Sequence, residues 1–358
     1  MTQNTLISVI IPFFNGEKYV DNCIRSLLAQ KEKEKLEIIM INDGSTDNGP
    51  NKIKNVKNLH IKLLNLEKNQ GPSAARNLGI NEAKSEYVYF YDIDDELETN
   101  TFSTLIHYLK EKRYDLIFSD KKRVLKSINL RNGKFQYSHD INLDNSSIIE
   151  LIKNRFFNPN EIHKIFDLTG KLIKRKILID NKVKFEEKLR YLEDECFLWN
   201  VLSFVNNAKY IHKQLYIYNI RPNQSSGISE GLRNKFELSN FKIVQDQIKI
   251  CLEKKGISEK NIKEILDQGL IYIIISALVS LTRSIIQKKI NEENSIKYLR
   301  ELINLITGDK KIAETAKNYT PHKDESKWIP ISIRLQSRWL LEFFCKLRVK
   351  QIIKNRKN

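Results

Sequence analysis

Short apolar runs alternate with segments of helical periodicity in the first hundred residues, and this alternation constrains the fold more than any other feature. Each run has the length and composition of a strand buried within a sheet. The runs occupy residues 7–12, 36–41, 59–64 and 87–91. Between the first two runs, Val20, Cys23, Ile24 and Leu27 recur at helical spacing. The pattern predicts an α/β fold with a mostly parallel central sheet flanked by helices.

Polar clusters follow three of the predicted strands. They lie around Asn15, Asp43 and Asp92. In open parallel sheets, ligands bind beyond the carboxyl ends of the strands. We therefore expect these clusters to meet at one edge of the sheet and to form a binding site.

The acidic cluster Asp92, Asp94 and Asp95 is the strongest signal of chemistry. Three carboxylates within four residues repel one another unless a cation lies among them. Oxygen ligands favour Mg²⁺ or Mn²⁺, which substrate phosphates commonly complete. The alternative is a solvated acidic turn in which Asp95 caps a helix.

Two further segments have both a functional and a structural interpretation. Asp43, in the turn 42–47, could accept from ribose hydroxyls or from a base N–H, or the turn could simply precede a capped helix. Arg76 lies in segment 71–79, where a helix N-terminus would suit an anion. Alternatively, this helix packs closely on the sheet through its small residues and Arg76 is solvated.

The segment around residue 194 offers a general base. Glu193, Asp194 and Glu195 precede an apolar helix, and a carboxylate held there could take a proton. The alternative is that these charges only complement the helix dipole. Farther along, Tyr218 and Arg221 precede or enter a turn-rich loop, where Arg221 could meet a diphosphate or could belong to an ordinary surface loop.

Charge and cysteine content exclude several classes of protein. The 358 residues carry 61 basic and 44 acidic side chains, a net charge of +17, which implies an anionic partner. The four cysteines form no CxxC pair, so a zinc site is not expected. Neither GxGxxG nor a P-loop sequence is present. No motif for reading RNA or DNA is present either, and we expect no nucleic-acid partner.

Composition divides the chain into three predicted regions. They are an α/β domain at 1–230, a helical domain at 231–327 and a basic amphipathic tail at 328–358. Basic residues and large aromatic side chains together favour contact with an anionic membrane surface. The alternative is a helical cap that buries its aromatics or forms a homo-oligomer contact. No signal peptide is expected, and the apolar run 270–281 is too short to span a bilayer, so we expect a cytoplasmic protein at the inner membrane face.

Six motifs follow one another along the first 230 residues. They are residues 8–15, 41–47, 71–77, 91–95, 170–172 and 193–194. Taken together, these motifs resemble the family 2 glycosyltransferases, which are GT-A-fold, inverting nucleotide-sugar transferases of bacterial capsule, lipopolysaccharide and teichoic-acid synthesis. The resemblance spans residues 6–230, and one departure is the bulky Ile93 between the aspartates of the Asp-x-Asp motif.

The resemblance implies a nucleotide site along the first two strands. Pro12 and Phe14 would line the base, and Glu17 would support their loop. Asp43 would meet the base, most often uracil, and Arg76 would brace it. A UDP-sugar is therefore the favoured donor.

The resemblance also implies the reacting end of the site. Asp92 would bind the ribose or a metal-bound water, and Asp94 would ligate the Mn²⁺ or Mg²⁺ that bridges the diphosphate. Asp95 would face the donor sugar. Asp194 would be the catalytic base toward a saccharide or lipid-linked acceptor.

Tyr218 and Arg221 would close over the diphosphate, by the same resemblance. With the acidic positions intact, the resemblance implies an enzyme. The alternative function is a non-catalytic module that binds a nucleotide sugar or a polysaccharide.

Overall fold

The computed structural model separates the chain into two compact units. The first comprises residues 1–152, 160–189 and 193–222, and the second comprises 153–159, 190–192 and 223–358. The structure describes residues 5–56, 60–125, 128–130, 137–158, 163–189, 192–220, 238–287, 292–322 and 325–355. The predicted boundary between residues 230 and 231 lies outside these ranges.

The first unit is built on one mixed sheet with strand order β3-β2-β1-β4-β9-β6-β10-β5. The first four strands in this order run parallel, β9 is antiparallel to both of its neighbours, and β6 and β10 run parallel to each other. Short strands β7 and β8 pair with β6 and β10. The strands are β1 Ile7–Phe13, β2 Leu36–Asn42, β3 Ile61–Asn65, β4 Tyr87–Phe90, β5 Glu96–Leu97, β6 Leu116–Leu125, β7 Ile128–Leu130, β8 Ile141–Leu143, β9 Lys171–Lys174 and β10 Ala208–Ile220.

Helices cover this sheet through apolar faces. Val20, Cys23, Ile24 and Leu27 of α1 are buried in the core, as their spacing predicts. The helices of this unit are α1 Glu17–Leu28, α2 Gly49–Lys54, α3 Pro72–Glu82, α4 Thr101–Glu111, α5 Asn145–Lys153, α6 Arg175–Asp180 and α7 Glu193–Leu202. The predicted α/β class is confirmed.

Helix α3 lies unusually close to the sheet. A Cβ atom at Gly79 would approach Cγ2 of Ile10 to 2.5 Å and Cδ1 of Ile41 to 3.1 Å. Close packing through small residues is therefore real, as one interpretation of this segment predicts. It seats the N-terminal end of α3 near the carboxyl ends of β1 and β2.

The second unit is helical. Its core joins Ile274 and Leu278 to Leu302 and Ile306. Its helices are α8 Leu238–Lys254, α9 Glu259–Ile286, α10 Glu292–Gly308, α11 Lys310–Thr315, α12 Trp328–Arg334 and α13 Arg338–Asn355. Among the described residues, α9 alone is long and apolar enough to cross a membrane, but 56% of its apolar window is buried. The core helix of a soluble protein has the same composition and burial.

The C-terminal helices α12 and α13 contribute to the core of the second unit. Ile329 and Ile333 of α12 and Leu341 and Cys345 of α13 are buried in it. The opposite side of α13 is exposed, including Trp339 at 71%. One side of α13 is thus packed in its own unit, while its exposed side carries both apolar and basic side chains.

Candidate functional site

The loops after β1 and β2 are tied together at the carboxyl edge of the sheet. The backbone N–H of Asn15 donates to Oγ of Ser45 at 2.9 Å. Oδ1 of Asn15 accepts from the backbone N–H of Thr46 at 2.8 Å. Asn15 has a φ of 48°, a conformation that Asn tolerates better than most residues. Its neighbour Phe14 is 48% exposed and presents its ring to solvent at this edge.

Glu17 supports the same pair of loops. Its backbone N–H donates to Oδ2 of Asp47 at 2.7 Å, and its carboxylate accepts from the N–H of Asn48 at 3.2 Å. Glu17 therefore contacts the loop after β2, and its support of the Pro12 and Phe14 loop stays a prediction. Pro12 lies within β1 opposite Ile41, half-buried.

Asp43 anchors the loop that leads into α3. Its buried carboxylate accepts the backbone N–H of Gln70 at 2.7 Å and that of Gly71 at 2.9 Å. Gly71 has a φ of 93°, a conformation that only glycine adopts readily. Both carboxylate oxygens of Asp43 thus already accept backbone N–H groups. Any contact with a nucleotide base would use their remaining lone pairs.

The acidic turn after β4 contains two different kinds of carboxylate. Asp92 and Asp94 are partly exposed, whereas Asp95 is buried. Asp95 accepts the hydroxyl proton of Tyr216 at 2.7 Å and the N–H of Asn219 at 2.9 Å. Burial, together with the charges of Asp92 and Asp94, raises the pKa of Asp95 to about 8.

One expectation for Asp95 needs correction. The alternative that it caps a helix is wrong, because β5 follows it directly and α4 begins only at Thr101. The implied position facing the donor sugar stays a prediction. Both oxygens face β10, where Tyr216 and Asn219 hold them.

Arg76 links the acidic turn to the proposed base. Nη1 donates to Asp194 at 2.9 Å and Nη2 to Asp92 at 3.3 Å, and the guanidinium lies 5.4 Å from the centre of the Phe185 ring. Only 7% of its side chain is exposed, so the alternative of a solvated Arg76 is wrong. The implied role of Arg76 in bracing a base beside Asp43 stays a prediction, and its polar contacts here are with Asp194 and Asp92. Burial opposes its charge, but Asp194 and Asp92 together raise its pKa.

Asp194 has the properties of a general base. It lies in the first turn of α7, and 40% of its side chain remains exposed. Burial raises its pKa to about 7 although Arg76 lowers it, and Glu193 and Asp92 raise it further. A carboxylate with a pKa near neutrality can accept a proton at physiological pH. Asp194 therefore does more than complement the dipole of α7, because it also forms an ion pair with Arg76.

Tyr218 lies beside the acidic turn. It is half-buried on β10, where burial and then the charges of Asp95, Asp92 and Asp94 raise its pKa to about 12. The guanidinium of Arg123 lies 6.0 Å from the centre of its ring. Arg221, predicted to act with Tyr218, lies outside the described residues.

The burial of Lys171 and the partial burial of Lys121 were not expected. The Lys171 ammonium donates to the backbone carbonyl of Asp167, and burial lowers its pKa to about 7. Lys121 contacts the Asp167 carboxylate at 2.7 Å and Oγ1 of Thr169 at 2.6 Å. The available signal for Lys171 was its place in motif 170–172 beside the apolar residues Leu172 and Ile173, whereas Lys121 lies in a polar stretch of β6 and gave no such signal.

The carboxylates of the turn suit a hard divalent cation. Within the described ranges, no three His, Cys, Asp or Glu side chains converge on one point. The partly exposed oxygen donors of the turn are Asp94 and Asp92, one oxygen of which accepts from Arg76, since Asp95 is held by β10. One or two carboxylates are what Mg²⁺ or Mn²⁺ requires when water and substrate phosphates supply the other ligands. The donor set therefore fits a cation that is completed by substrate.

Comparison with known proteins gives a consistent result. A family model described as glycosyl transferase family 2 matches residues 8–180. The chain is 29% identical to the glycosyltransferase GlyG of Streptococcus pneumoniae over 65% of this chain and 75% of GlyG. It is 33% identical to the poly(ribitol-phosphate) β-N-acetylglucosaminyltransferase TarP of Staphylococcus aureus, over 60% and 62% of the two chains.

The fold is also similar to that of a solved structure. The S. aureus TarS 1–349 structure in complex with UDP-GlcNAc superposes with a TM-score of 0.69 at 19% identity, over 97% of this chain and 92% of that one. The chain spans 62% or less of the length of several curated relatives, including 50% of the minor teichoic acid biosynthesis protein GgaA of Bacillus subtilis.

Proposed function

Residues 8–180 of this chain are a family 2 glycosyltransferase domain, and we propose that the protein transfers a sugar from a nucleotide sugar to an acceptor hydroxyl. The acceptor is a saccharide or a lipid-linked saccharide of a bacterial surface glycan. The relatives named for poly(ribitol-phosphate) and minor teichoic acid support this class of product.

The Arg76 bridge is the observation that carries the proposal. It places the acidic turn, suited to a diphosphate and its cation, next to a carboxylate whose pKa of about 7 suits proton abstraction. A group-transfer site needs both functions at adjacent positions, because the nucleophile and the leaving group act on the same carbon. A binding module has no need for a tuned base.

We infer that the donor is a UDP-sugar, and UDP-GlcNAc is the first to test. The solved structure similar in fold was determined with UDP-GlcNAc, and TarP is named an N-acetylglucosaminyltransferase. Phe14, exposed at the strand edge beside the anchored Asn15–Ser45 loops, offers a ring for the base. Asp43 keeps lone pairs for a base N–H.

The reaction follows from the roles of these residues. Asp194 takes the proton of the acceptor hydroxyl, and that oxygen attacks the anomeric carbon opposite the diphosphate, so one displacement inverts the centre. Arg76 holds Asp194 in place before the acceptor arrives. Mn²⁺ or Mg²⁺, held by Asp92 and Asp94, would supply charge neutralisation at the departing diphosphate. These side chains would thereby fix the positions of the acceptor hydroxyl and of the donor diphosphate.

Release of nucleoside diphosphate from a panel of nucleotide sugars with Mn²⁺ tests the function. Asp94→Ala and Asp194→Asn are the control variants. We expect release from one donor by the wild-type protein and loss of it in both variants. If no donor is consumed, calorimetric titration with UDP separates a binding module, which binds it, from a chain without a donor site.

We also propose that the second unit brings the enzyme to the inner face of the cell membrane. Trp339, Phe343 and Leu347 recur every four residues on α13 and are exposed by 71%, 47% and 41%. Rings of Trp339 and Phe343 stack at 5.6 Å between centroids. Lys350 and Lys354 continue the same helical face. Aromatic rings with lysines suit the interface of an anionic bilayer.

Co-sedimentation with vesicles containing an anionic lipid tests this surface. The double variant Trp339→Ala/Phe343→Ala is expected to lose binding, while Leu305→Ala, which removes another exposed apolar side chain from α10, is expected to bind as wild type does. Equal binding of all three proteins would exclude this membrane surface. A change of oligomeric state in the double variant alone would indicate a homo-oligomer contact instead.

A further inference from the structure

The hydroxyl of Tyr216 is bonded to both ends of the acidic turn. Tyr216 lies on β10 and is fully buried. Its hydroxyl donates to Oδ2 of Asp95 at 2.7 Å and accepts the backbone N–H of Asp92 at 3.2 Å. Asp94 lies between these two contacts. The turn is itself closed by the backbone hydrogen bond from the N–H of Asp95 to the carbonyl of Asp92 at 3.1 Å. The Tyr216 hydroxyl therefore holds both ends of this closed turn against β10.

The ring of Tyr216 is itself held from several sides. The ammonium of Lys121 lies 4.9 Å from its centroid, and the ring of Tyr91 meets it edge-on at 6.0 Å. Gly170 packs so closely that a Cβ atom there would lie 3.3 Å from Cβ of Tyr216. A residue clamped in this way cannot move its hydroxyl to follow the turn, so the turn must adapt to it.

We propose that Tyr216 is a positioning residue that sets the geometry of the Asp92–Asp95 turn for the donor diphosphate. This inference rests on the proposed function, because it assigns a purpose to that same site. Tyr216 is fully buried, so we assign it no direct contact with the donor or the reacting atoms. Its effect reaches them through the backbone of Asp92 and the carboxylate of Asp95.

Strand β10 offers a matched control for this hydroxyl. Tyr210 is also fully buried, and its hydroxyl also donates to a carboxylate, Oδ1 of Asp120, at 2.7 Å. Asp120 lies on β6, outside the acidic turn. Tyr216→Phe and Tyr210→Phe therefore each remove a buried hydroxyl that donates to a carboxylate. Both residues lie on β10, but only the Tyr216 hydroxyl contacts the acidic turn.

The experiment compares both variants with the wild-type protein, well below their melting temperatures. Tyr216→Phe is expected to lower kcat/KM for the donor by about 10- to 100-fold, the loss typical of a misplaced reacting group. The KM for the acceptor should stay the same. The affinity for UDP measured by calorimetry with Mn²⁺ should fall as well. Tyr210→Phe should lose a similar amount of thermal stability while its donor kinetics stay within about twofold of wild type.

Several outcomes would overturn the inference. Equal donor kinetics in the two variants would show that the Tyr216 hydroxyl serves stability alone. A Tyr216→Phe chain that failed to fold, beside a folded Tyr210→Phe chain, would show the same. Failure of the proposed function is seen separately, because the wild-type protein would then neither consume a donor nor bind UDP.

Discussion

The ion pair between Arg76 and Asp194 gives a quantitative prediction for the pH dependence of the reaction. The atoms are 2.9 Å apart. Coulomb's law at this distance gives about 1.4 kcal/mol at the dielectric constant of water and about 6 kcal/mol at an effective value of 20. Since 40% of the Asp194 side chain is exposed, screening favours the lower figure. At about 1.4 kcal/mol per pKa unit, Arg76 lowers the pKa of Asp194 by about one.

The direction of the effect follows from the role of Asp194. A base works when it has lost its proton, so activity should be present above the Asp194 pKa of about 7 and fall away below it. Arg76→Met removes the charge that lowers this pKa. The acid limb of kcat/KM should therefore move up by about one pH unit. Arg76→Lys keeps a positive charge and should leave the limb near its wild-type position.

The assay follows nucleoside diphosphate release from pH 5.5 to 9 at limiting donor, roughly spanning both positions of the limb. The pH at which kcat/KM falls is informative even if the maximal rate is lower. A displaced side chain elsewhere in the site would lower kcat/KM at every pH without changing the pH at which it falls. A limb unmoved in Arg76→Met would refute the reasoning. Either Arg76 would not be tuning the base, or the base would not be Asp194.

Three other substitutions test separate parts of the structure, and a fourth serves as the control for the last of them. Asp194→Asn should leave UDP binding nearly intact by calorimetry and reduce turnover by ~10²–10⁴, and near wild-type turnover would remove it from the role of base. Asp94→Ala should weaken the affinity for UDP in the presence of Mn²⁺ more than in its absence, and equal affinities would contradict a cation site. Gly79→Ala, whose Cβ would lie 2.5 Å from the Ile10 side chain, should lower the free energy of unfolding by about 1–3 kcal/mol. Gly308→Ala, with open space around it, should leave the melting temperature nearly unchanged.

Elements with a strong period could be predicted from the sequence. The burial of Val20, Cys23, Ile24 and Leu27 followed from helical spacing, and the strand runs indicated the parallel half of the sheet. Strand β10 was harder. Only 215–218 alternates clearly, whereas the strand spans Ala208–Ile220. Its pairing with β6 shifts register between Ile211 and Gln214 and again before Tyr216, which breaks the period that sequence analysis depends on.

The partners of site residues depend on tertiary contacts that no local pattern encodes. Arg76 and Asp194 are 118 positions apart, so their ion pair follows from where α7 is placed rather than from either motif. Asp95 was expected to cap a helix or, by the family resemblance, to face the donor sugar. Its actual partner, Tyr216, is 121 positions away. Local sequence identifies reactive residue types, and long-range packing decides which of them meet.

The two sides of α13 are subject to different demands. Leu341, Cys345 and Val349 lie in the buried side, where truncation would open a cavity. Trp339 and Phe343 are largely outside it, and substitutions at such exposed positions change stability by less than about 0.5 kcal/mol. Selection for folding therefore acts weakly on these two rings. If diverged relatives keep aromatic residues at these two positions, selection for a contact made by the exposed side of α13 would explain it. If the relatives carry polar residues there instead, no such contact is under selection.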